Sequence, residues 1–379
     1  MDHYQFPWRA QQTFQFLVDG SQFFPVMLDS IAKAKSFIYL EMYLFESGSV
    51  ANQFINAFED ASERGVRVYL LLDAFGSQGL NKYDRKRLQE KNITLYFYNP
   101  LNSKRLKRNL FRDHRKLLLV DGVVAFTGGA GLTDEFDEAC YPARYWHEAM
   151  IRIQGACVAD WQALFEQNWR HSGEALENPR HSFIDVEESA AEGRVLESRS
   201  MIHSEVIRSF IKQARAATDY IWVASAYFVP SRKIRRVLCR KARAGIDVRL
   251  LLPGPCSDHL WARHMGRRYY DRLLRHGVRI YEYQPRFMHM KILLSDQWVS
   301  IGSSNIDRWN FRWNLEANQE LRDAVFADIV RRQFEHDFAE SHEIDCQQWS
   351  QRPFWVRLKI WGWSFVVRVL SWASFNRKK

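Results

Sequence analysis

The chain has 379 residues, of which 46% are hydrophobic and 15% aromatic, and its formal net charge is +10. This length is enough for two ordinary domains, and the apolar fraction is that of a globular protein. The positive charge favours an anionic partner, which is nucleic acid, anionic lipid or a phosphate substrate.

Cysteine and histidine spacing argues against several classes of site. The cysteines are odd in number, scattered and without C-x-x-C spacing, at Cys140, Cys157, Cys239, Cys256 and Cys346. This pattern is typical of a reducing compartment and disfavours a disulfide framework or a zinc site. The histidines lack metal-site spacing and no glycine-rich nucleotide loop precedes a helix, so no metal and no cofactor are expected. Residues 1–20 lack the apolar core of a signal peptide, so none is predicted.

The first half of the chain alternates amphipathic helices with buried strands. Apolar spacing and composition predict helices at 22–35, 54–61 and 85–91, and strands at 36–45, 66–72 and 93–98. This β-α-β alternation indicates a largely parallel or mixed sheet with helices on its faces.

The second half repeats this order. It predicts helices at 202–214 and 234–244 and strands at 220–229, 246–252 and 278–283, offset from the first half by about 175 to 185 residues. A polar, acidic and poorly periodic stretch, residues 171–192, is interpreted as a linker. We therefore predict an α/β fold of two similar domains, residues 1–170 and 193–348, facing each other across a pseudo-two-fold axis, followed by a tail at 349–379.

One short pattern, H-x-K-x4-D, occurs once in each half. Its members are His114, Lys116 and Asp121 in the first copy and His289, Lys291 and Asp296 in the second. An apolar run follows each lysine and predicts a buried strand, on which residues two apart share a face. Each histidine therefore stands beside its lysine, whereas each aspartate lies on the other face or at the strand end. We interpret the aspartates, which we keep in the candidate catalytic set, as more structural than chemical.

Phosphodiester transfer explains why such a unit would be present twice. The reaction needs a nucleophile, an acid for the leaving alkoxide and fixed positive charge around the phosphoryl oxygens. Two histidines supply the first two groups, and two lysines with the Asn305 amide supply the third. This arrangement requires no metal.

The paired motifs resemble those of the phospholipase D superfamily, and their surroundings resemble bacterial cardiolipin synthases of the short type without N-terminal membrane helices. The similarity covers roughly residues 15–340. It includes Phe23-Phe24-Pro25, the stretch 40–45, Ala226-Tyr227-Phe228-Val229-Pro230, Gly302-Ser303-Ser304-Asn305 and Asn314-Leu315-Glu316-Ala317-Asn318. The resemblance implies two phospholipase D-like α/β/α sandwich domains that share one active site at their interface.

The resemblance also implies roles for further residues. Glu148 follows His114 by 34 residues and Glu316 follows His289 by 27, in segments where family enzymes carry an acidic residue. Both are expected to orient an imidazole through its second nitrogen. The order of the superfamily suggests that His114 attacks phosphorus and His289 protonates the leaving group, although the symmetry of the motifs leaves the order open.

The turns that follow the two motifs differ. The second turn contributes Ser303 and Asn305 as expected substrate-binding residues, and the first contributes Gly129. The first turn ends in Gly131, where the family commonly has Asn, so one phosphate-binding amide is expected to be missing.

Two basic groups flank these motifs. The first lies just before His114, has no counterpart in the second half, and is expected to collect anionic headgroups, chiefly through Arg105 and Arg108; its other members are Lys104, Lys107, Arg112 and Arg115. The second is predicted to be a plain charged helix face: Arg232, Lys233, Arg235, Arg236 and Arg240.

The C-terminal stretch 354–375 is rich in Trp, Phe, Val, Leu and Ile, with a narrow polar stripe that includes Arg357 and Arg368. A spanning helix would place Arg368 deep in hydrocarbon, at roughly 2.5–3.5 kcal/mol on insertion scales. An interfacial helix keeps the cations near lipid phosphates. We favour an interfacial membrane anchor over a spanning helix or a segment buried against the protein.

Together these features predict a metal-independent phosphatidyltransferase that makes cardiolipin from phosphatidylglycerol, through a phosphatidyl-histidine intermediate, at the cytoplasmic face of a bacterial membrane. The acceptor lipid, phosphatidylglycerol or phosphatidylethanolamine, stays open, as does the oligomeric state. A phospholipase D that releases phosphatidic acid, a nuclease of the same superfamily and a catalytically silent membrane-binding protein are the alternatives. Nucleic acid is not a partner in the favoured interpretation.

Overall fold

A computed structural model describes most of the chain. The described residues are 4–90, 93–104, 108–176, 190–199, 204–258, 260–307, 313–352 and 354. Arg105 and the C-terminal stretch 355–379 lie outside them, as does 177–189 of the expected linker. Within the described part, no helix has the length and apolarity needed to cross a membrane. The five cysteines are free, as their spacing predicts.

The first half contains the elements β1 to α4. They are β1 Thr13–Val18, α1 Gly20–Ala32, β2 Phe37–Met42, α2 Ser49–Glu63, β3 Arg67–Asp73, α3 Lys82–Glu90, β4 Ile93–Tyr98, β5 Arg112–Asp113, β6 Lys116–Val120, β7 Val124–Gly128, β8 Ala149–Gln154 and α4 Cys157–Trp169.

The second half contains the elements β9 to α10. They are β9 Glu192–Ser198, α5 Glu205–Ala216, β10 Tyr220–Ser225, α6 Arg232–Arg243, β11 Asp247–Pro253, α7 Leu260–Arg267, α8 Tyr270–Leu274, β12 Arg279–Tyr283, β13 Lys291–Ser295, β14 Trp298–Gly302, β15 Asn314–Arg322, α9 Ala324–Ala339, β16 Ser341–Glu343 and α10 Cys346–Ser350.

The two halves build their sheets in the same strand order. The first sheet runs β1-β8-β7-β6-β2-β3-β4, and the second contains the equivalent run β9-β15-β14-β13-β10-β11-β12, extended by β16 at one end and β5 at the other. Strands β2, β3 and β4 are parallel, as are β10, β11 and β12, whereas the motif strands β6 and β13 are antiparallel to their neighbours. The predicted mixed α/β sheets are therefore confirmed.

The sequence explains why these elements form. The central strands are apolar on both faces because helices or the other half cover each side, and β2 is buried at every position. Side-chain caps begin several helices: Ser231 accepts from the Ile234 amide at α6, and Asp323 accepts from the Phe326 amide at α9.

The shared core lies between the two sheets and joins the halves. Trp161 and Phe165 of α4 belong to the same buried cluster as Trp222 of β10 and Phe334 of α9. Helices α1 and α2 cover the outer face of the first sheet, and α5, α6 and α8 cover the outer face of the second. The interface between the halves is thus a hydrophobic core, which fixes the positions of the facing strand ends relative to each other.

Candidate active site

Both motif histidines lie at the interface between the halves. His114 lies between β5 and β6, and His289 lies two residues before the start of β13; Lys116 and Lys291 are the first residues of their strands. Because these strands run antiparallel to β2 and β10, the lysines lie opposite the last residues of those strands, Met42 and Ser225. Both motifs therefore occupy the carboxyl edge of the parallel strands, where open α/β sheets usually bind ligands.

The two halves exchange the carboxylates that hold their histidines. The His114 Nδ1 atom lies 3.1 Å from the Glu316 carboxylate, and the His289 Nδ1 atom lies 2.7 Å from Glu148 Oε2. Each glutamate thus serves the histidine of the other half. The sequence indicated both glutamates as orienting groups, but the spacing along the chain did not reveal this crosswise pairing.

Backbone hydrogen bonds repeat the crosswise arrangement. The His114 amide donates to the Leu315 carbonyl oxygen at 3.0 Å, and the His289 amide donates to the His147 carbonyl oxygen at 2.8 Å. Leu315 and His147 directly precede the two orienting glutamates. Each catalytic loop is therefore bound by backbone and by side chain to the opposite half.

The two lysines are buried and make different contacts. Lys116 donates from Nζ to the carbonyl oxygen of His114 at 2.7 Å and lies 5.2 Å from the centre of the Tyr43 ring. Lys291 donates from Nζ to Glu148 Oε2 at 3.0 Å and lies 3.0 Å from His289 Nδ1. Each lysine therefore places positive charge next to its own histidine, as the i, i+2 spacing predicted.

Burial controls the protonation of these groups. Burial lowers the pKa of His114 despite the nearby Glu316 carboxylate, and burial together with Lys291 lowers the pKa of His289 well below its usual value. Burial also lowers the pKa of Lys116 to about 7, with the neighbouring Lys291 charge contributing, and burial lowers the pKa of Lys291. Both imidazoles are consequently neutral near pH 7, the form in which a ring nitrogen is nucleophilic.

The turn after the second motif contributes polar side chains to the site. The Ser303 hydroxyl donates to Glu316 Oε2 at 2.5 Å and so supports the carboxylate that holds His114. Asn305 accepts from the Tyr227 amide at 3.2 Å, while its Nδ2 atom is buried without a hydrogen-bond partner in the described residues. An unpaired buried donor at this position fits an anionic oxygen of the substrate.

The turn after the first motif is built of small residues for packing reasons. A Cβ atom on Gly129 would lie 2.0 Å from Glu148 Oε2, so this glycine makes room for the carboxylate that holds His289. A Cβ atom on Gly131 would lie 2.8 Å from both the Cβ and the carbonyl oxygen of Leu44. The first turn therefore supplies space rather than hydrogen bonds, and the Asn typical of the family has no room here without movement of Leu44.

The motif aspartates bind backbone amides, as expected of the more structural role that the sequence indicated. The Asp121 carboxylate accepts from the amides of Lys35, Ser36 and Phe37 at 2.7–2.9 Å. Asp296 accepts from the amides of 218, 219 and 220 at 2.8–3.1 Å. Both sit in tight turns beyond the strand, with φ of 55° and 49°. Their oxygens tie this turn to the start of a neighbouring strand, at the end remote from the histidines.

The basic loop is the first basic group of the sequence analysis, just before His114. Its described arginines contact residues other than the two motif histidines. Arg108 is exposed, and its Nε donates to Asn99 Oδ1 at 3.2 Å, while Asn99 donates back to the Arg108 carbonyl oxygen at 2.7 Å. Arg115 is buried and forms ion pairs with Glu41 and Glu197. A role of this loop in headgroup binding therefore stays a prediction.

Aromatic rings surround the two histidines unequally, which the sequence analysis did not predict. The His289 ring centre lies 5.6, 5.0 and 5.4 Å from those of Phe136, Trp146 and Phe287. The His114 ring lies 4.7 Å from Tyr43. The aromatic enclosure removes water from around His289 and accounts for the strong effect of burial on its pKa.

A second residue that the sequence analysis missed is His147, which is buried between two carboxylates. Its Nδ1 lies 2.8 Å from Asp19 and its Nε2 lies 3.2 Å from Asp337, and its ring stacks on Tyr283. Burial opposes protonation, but the two carboxylates outweigh it and raise the pKa of His147 to about 9. The partners are 128 and 190 residues away along the chain, so no local pattern could have indicated them.

Among the described residues, one group has potential metal-ligand atoms within 4.8 Å of one another: His336, Asp337 and Glu340 on and after α9. His336 is 65% exposed, and Asp337 already accepts from His147 and from Gln333. Both of these contacts are to Asp337 Oδ1.

Comparisons with known proteins agree with this geometry. The family model described as "Cardiolipin synthase, PLD-like domain" matches residues 27–169 and 207–338. The cardiolipin synthase of Geobacillus kaustophilus is 33% identical over 368 residues, which cover 96% of this chain and 72% of that protein. The major cardiolipin synthase ClsA of Bacillus subtilis is 30% identical, covering 94% of this chain and 74% of that protein. The fold is similar to the crystal structure of phosphatidylserine synthase from Haemophilus influenzae Rd KW20, with a TM-score of 0.70, 13% identity and 96% of each chain covered.

Proposed function

Because the chain belongs to the family of cardiolipin synthases with phospholipase D-like domains, we propose that it converts two molecules of phosphatidylglycerol into cardiolipin and glycerol. The observation that carries the proposal is the crosswise site, in which His114 and His289 each face the glutamate of the opposite half. A nucleophile and an acid lie there on opposite sides of one interface, as a double displacement at phosphorus requires.

In the first step, His114 Nε2 attacks the phosphorus of one phosphatidylglycerol. The bond between phosphorus and the headgroup oxygen breaks. His289, whose protonated form is favoured by the negative charge of the phosphodiester bound beside it, transfers its Nε2 proton to that oxygen, so free glycerol leaves and His289 becomes neutral. The product on the protein is a phosphatidyl-histidine. In the second step, His289 takes the proton from a hydroxyl of the second phosphatidylglycerol, whose oxygen attacks phosphorus. The phosphorus–nitrogen bond breaks, and cardiolipin and neutral His114 result.

The hydrogen bonds of the two rings prepare both of them for these roles. In the described residues, His114 Nδ1 faces a carboxylate, which keeps the ring proton on Nδ1 and leaves the lone pair of Nε2 available for attack. His289 Nδ1 faces both Glu148 and the Lys291 ammonium. The Glu148 carboxylate likewise keeps a proton on Nδ1, so that a second proton on Nε2 makes the imidazolium that an acid requires. We propose attack by His114 and proton transfer by His289 because this is the order that the resemblance to the superfamily suggests.

Three groups provide the electrostatic stabilisation of the phosphoryl oxygens in this proposal. Lys116 and Lys291 supply positive charge from opposite halves, and Asn305 supplies its unpaired Nδ2 donor. Preorganised donors in a site without water stabilise the developing charge at phosphorus more strongly than the same groups in solution. Since these side chains provide the nucleophile, the acid and the positive charge, we propose that turnover needs no added metal.

We further propose that the protein works as a peripheral protein at the cytoplasmic membrane surface, with anionic phospholipid as substrate. The net charge of +10 and the aromatic, basic C-terminal stretch 354–379 support this location. Phosphatidylethanolamine is a second co-substrate to be tested: its phosphodiester offers His114 the same bond to attack, with ethanolamine as the leaving group, whereas it has no free headgroup hydroxyl with which to accept a phosphatidyl group.

The test is incubation of purified protein with phosphatidylglycerol liposomes in excess EDTA, followed by mass spectrometry of the lipids. Cardiolipin with equimolar glycerol is the expected result. Phosphatidic acid alone would make the protein a hydrolase, because water would then be the acceptor. No lipid turnover, with cleavage of single-stranded DNA in a parallel reaction, would replace the proposal by a nuclease. In parallel liposomes that also contain phosphatidylethanolamine, release of ethanolamine together with cardiolipin would identify phosphatidylethanolamine as a second phosphatidyl donor.

A further inference from the structure

Helices α2 and α6 occupy equivalent positions in the two halves but carry opposite charge. Each follows the first of the three parallel strands of its sheet, β2 or β10, and packs on the outer face. Helix α2 contains three acidic residues, no Lys and no Arg, whereas seven of the twelve residues of α6 are Lys or Arg and none is acidic. The common fold therefore does not require the positive charge of α6.

The cations of α6 project from the molecule. Its apolar residues Ile234, Val237 and Leu238 are buried against the sheet, which turns the charged face outward. The exposed cations form no ion pair in the described residues; they are Arg232, Lys233, Arg236, Arg240 and Arg243. Helix α5 packs beside α6 and adds the exposed Lys212 and Arg215. Lys212, Arg215 and the five exposed cations of α6 are together called the basic face.

Helix stability does not explain where these charges lie. Arg232 and Lys233 occupy the first turn of α6, where positive charge opposes the helix dipole. That first turn follows the carboxyl end of β10, and the last residue of β10, Ser225, pairs with Lys291 of the active site. The basic face therefore begins at the edge of the sheet where the catalytic residues lie, and it extends away from there along α6.

We propose that the basic face docks the protein onto a bilayer surface rich in anionic phospholipid. This inference rests on the proposed function, because it presents the active-site edge to the surface that contains the substrate. Lys and Arg side chains near such a surface contribute additively to binding, and salt screens them. Nucleic acid is the less suitable polyanion, since α6 has no aromatic residue on which a base could stack.

The test compares two full-length variants with the same change in charge. The first reverses four cations of the basic face, with the substitutions Arg232→Glu, Lys233→Glu, Arg236→Glu and Arg240→Glu. The control reverses four exposed lysines of the first half, with the substitutions Lys33→Glu, Lys35→Glu, Lys82→Glu and Lys86→Glu. Two of the first four place Glu at the start of α6, where it favours the helix, so the variant is expected to fold. Circular dichroism and thermal unfolding check this.

Binding is measured by flotation with phosphatidylglycerol vesicles and with phosphatidylcholine vesicles at about 0.1 M salt, a concentration at which charges still interact over about 10 Å. We expect the first variant to lose about 100-fold or more of its partition onto phosphatidylglycerol vesicles. The control should lose less than about fivefold. Equal losses in the two variants would show that net charge alone matters, and an unchanged first variant would show that another segment holds the membrane; either outcome overturns the proposal.

Turnover in two formats separates this inference from the proposed function. In mixed detergent micelles, turnover does not require the protein to bind a bilayer, so the first variant should make cardiolipin at the wild-type rate. On vesicles, its rate should fall in proportion to its loss of binding. Absence of cardiolipin from the wild-type protein in both formats would contradict the proposed function instead. Loss of binding to a labelled single-stranded oligonucleotide, with vesicle binding unchanged, would assign the basic face to nucleic acid.

Discussion

The two half-sites present the same candidate catalytic groups but support them differently. The His114 ring contacts the Glu316 carboxylate, which accepts a hydrogen bond from the Ser303 hydroxyl in the turn after the second motif. His289 rests on Glu148, which Lys291 stabilises and for which Gly129 makes room. Duplication has therefore kept the histidine, the lysine and the glutamate, while the groups around each carboxylate have diverged.

The two half-sites also differ in the charged residues that lie near each motif histidine. Between His114 and Lys116, the buried Arg115 pairs with Glu41 and Glu197, whereas the equivalent residue of the second half is the apolar Met290. Near His289 the charged residue is His147, which precedes Glu148 in the chain. The equivalent residue, which precedes Glu316, is Leu315. Each half-site thus depends on its own set of long-range contacts, so variants should affect the two sites separately.

Replacement of the catalytic histidines should have the largest effect and should separate their roles. We expect His114→Asn to lower turnover by on the order of 10⁴–10⁶, because the nucleophile is lost, and His289→Asn by roughly 10²–10⁴, because the acid is lost. A phosphatidyl ester of p-nitrophenol needs no acid to leave. His289→Asn should therefore still release a burst of nitrophenol from this substrate, while His114→Asn should not.

A burst from His114→Asn but not from His289→Asn would exchange the two assignments. Equal bursts from both variants would remove the covalent intermediate from the mechanism. Intact-protein mass spectrometry after an acid-free quench identifies the phosphatidyl adduct, and thermal unfolding of both variants serves as the folding control.

The crosswise pairing of glutamates gives the next largest effect. Glu316→Gln and Glu148→Gln should each lower turnover by roughly 10²–10⁴, because the imidazole loses the group that holds its proton on Nδ1. In double-mutant cycles, Glu316→Gln should be strongly non-additive with His114→Asn. The same holds for Glu148→Gln with His289→Asn. Strong coupling within a half, between Glu148 and His114, would contradict the pairing.

The His147 contacts predict a pH dependence of stability that belongs to the second half-site. The folded protein raises the pKa of His147 from 6.5 to about 9. Its contribution to the free energy of unfolding is therefore complete below about pH 6.5, declines between pH 6.5 and 9 and is absent above. We expect His147→Gln to reduce the free energy of unfolding by on the order of 3 kcal/mol at pH 6 and by much less at pH 9.5.

Urea unfolding at several pH values measures this difference, and subtraction of the variant from the wild type removes the titration of other groups. The control is His336→Gln, since this neighbouring histidine is 65% exposed; its effect should be within about 0.5 kcal/mol at both pH values. A His147→Gln effect that does not change with pH would show that His147 is uncharged in the folded protein.

The smallest effect concerns the first turn. Gly131→Asn restores the residue typical of the family, but its Cβ would meet the Leu44 backbone at 2.8 Å. We expect the free energy of unfolding to fall by about 1–3 kcal/mol, with no gain in turnover. Higher turnover at unchanged thermal stability would show that packing does not enforce the difference between the two turns. Ala130→Ser, at the equivalent of Ser304, is a conservative comparison in the same turn.

Local pattern was enough to predict many elements of the fold. Strand β4 was predicted with the bounds that the structure has, and α2, β3, α6 and β12 were predicted within a few residues of theirs, because apolar periodicity reflects burial on one or both faces. Strands β8 and β15 and helix α9 were not predicted. Strand β15 contains Glu316, Asn318, Gln319 and Glu320, all buried, so its sequence reads as polar although the strand lies inside the protein.

The sequence by itself indicated the candidate reacting groups: two His-Lys pairs, two glutamates and Asn305 were identifiable because reacting groups must be of particular types at particular spacings. Only the tertiary structure decided which glutamate faces which histidine, that the aspartates bind backbone amides, and that His147 lies between Asp19 and Asp337. The physical reason is that hydrogen bonds and desolvation depend on distances in space. Partners 128 to 202 residues apart along the chain leave no periodic trace in it.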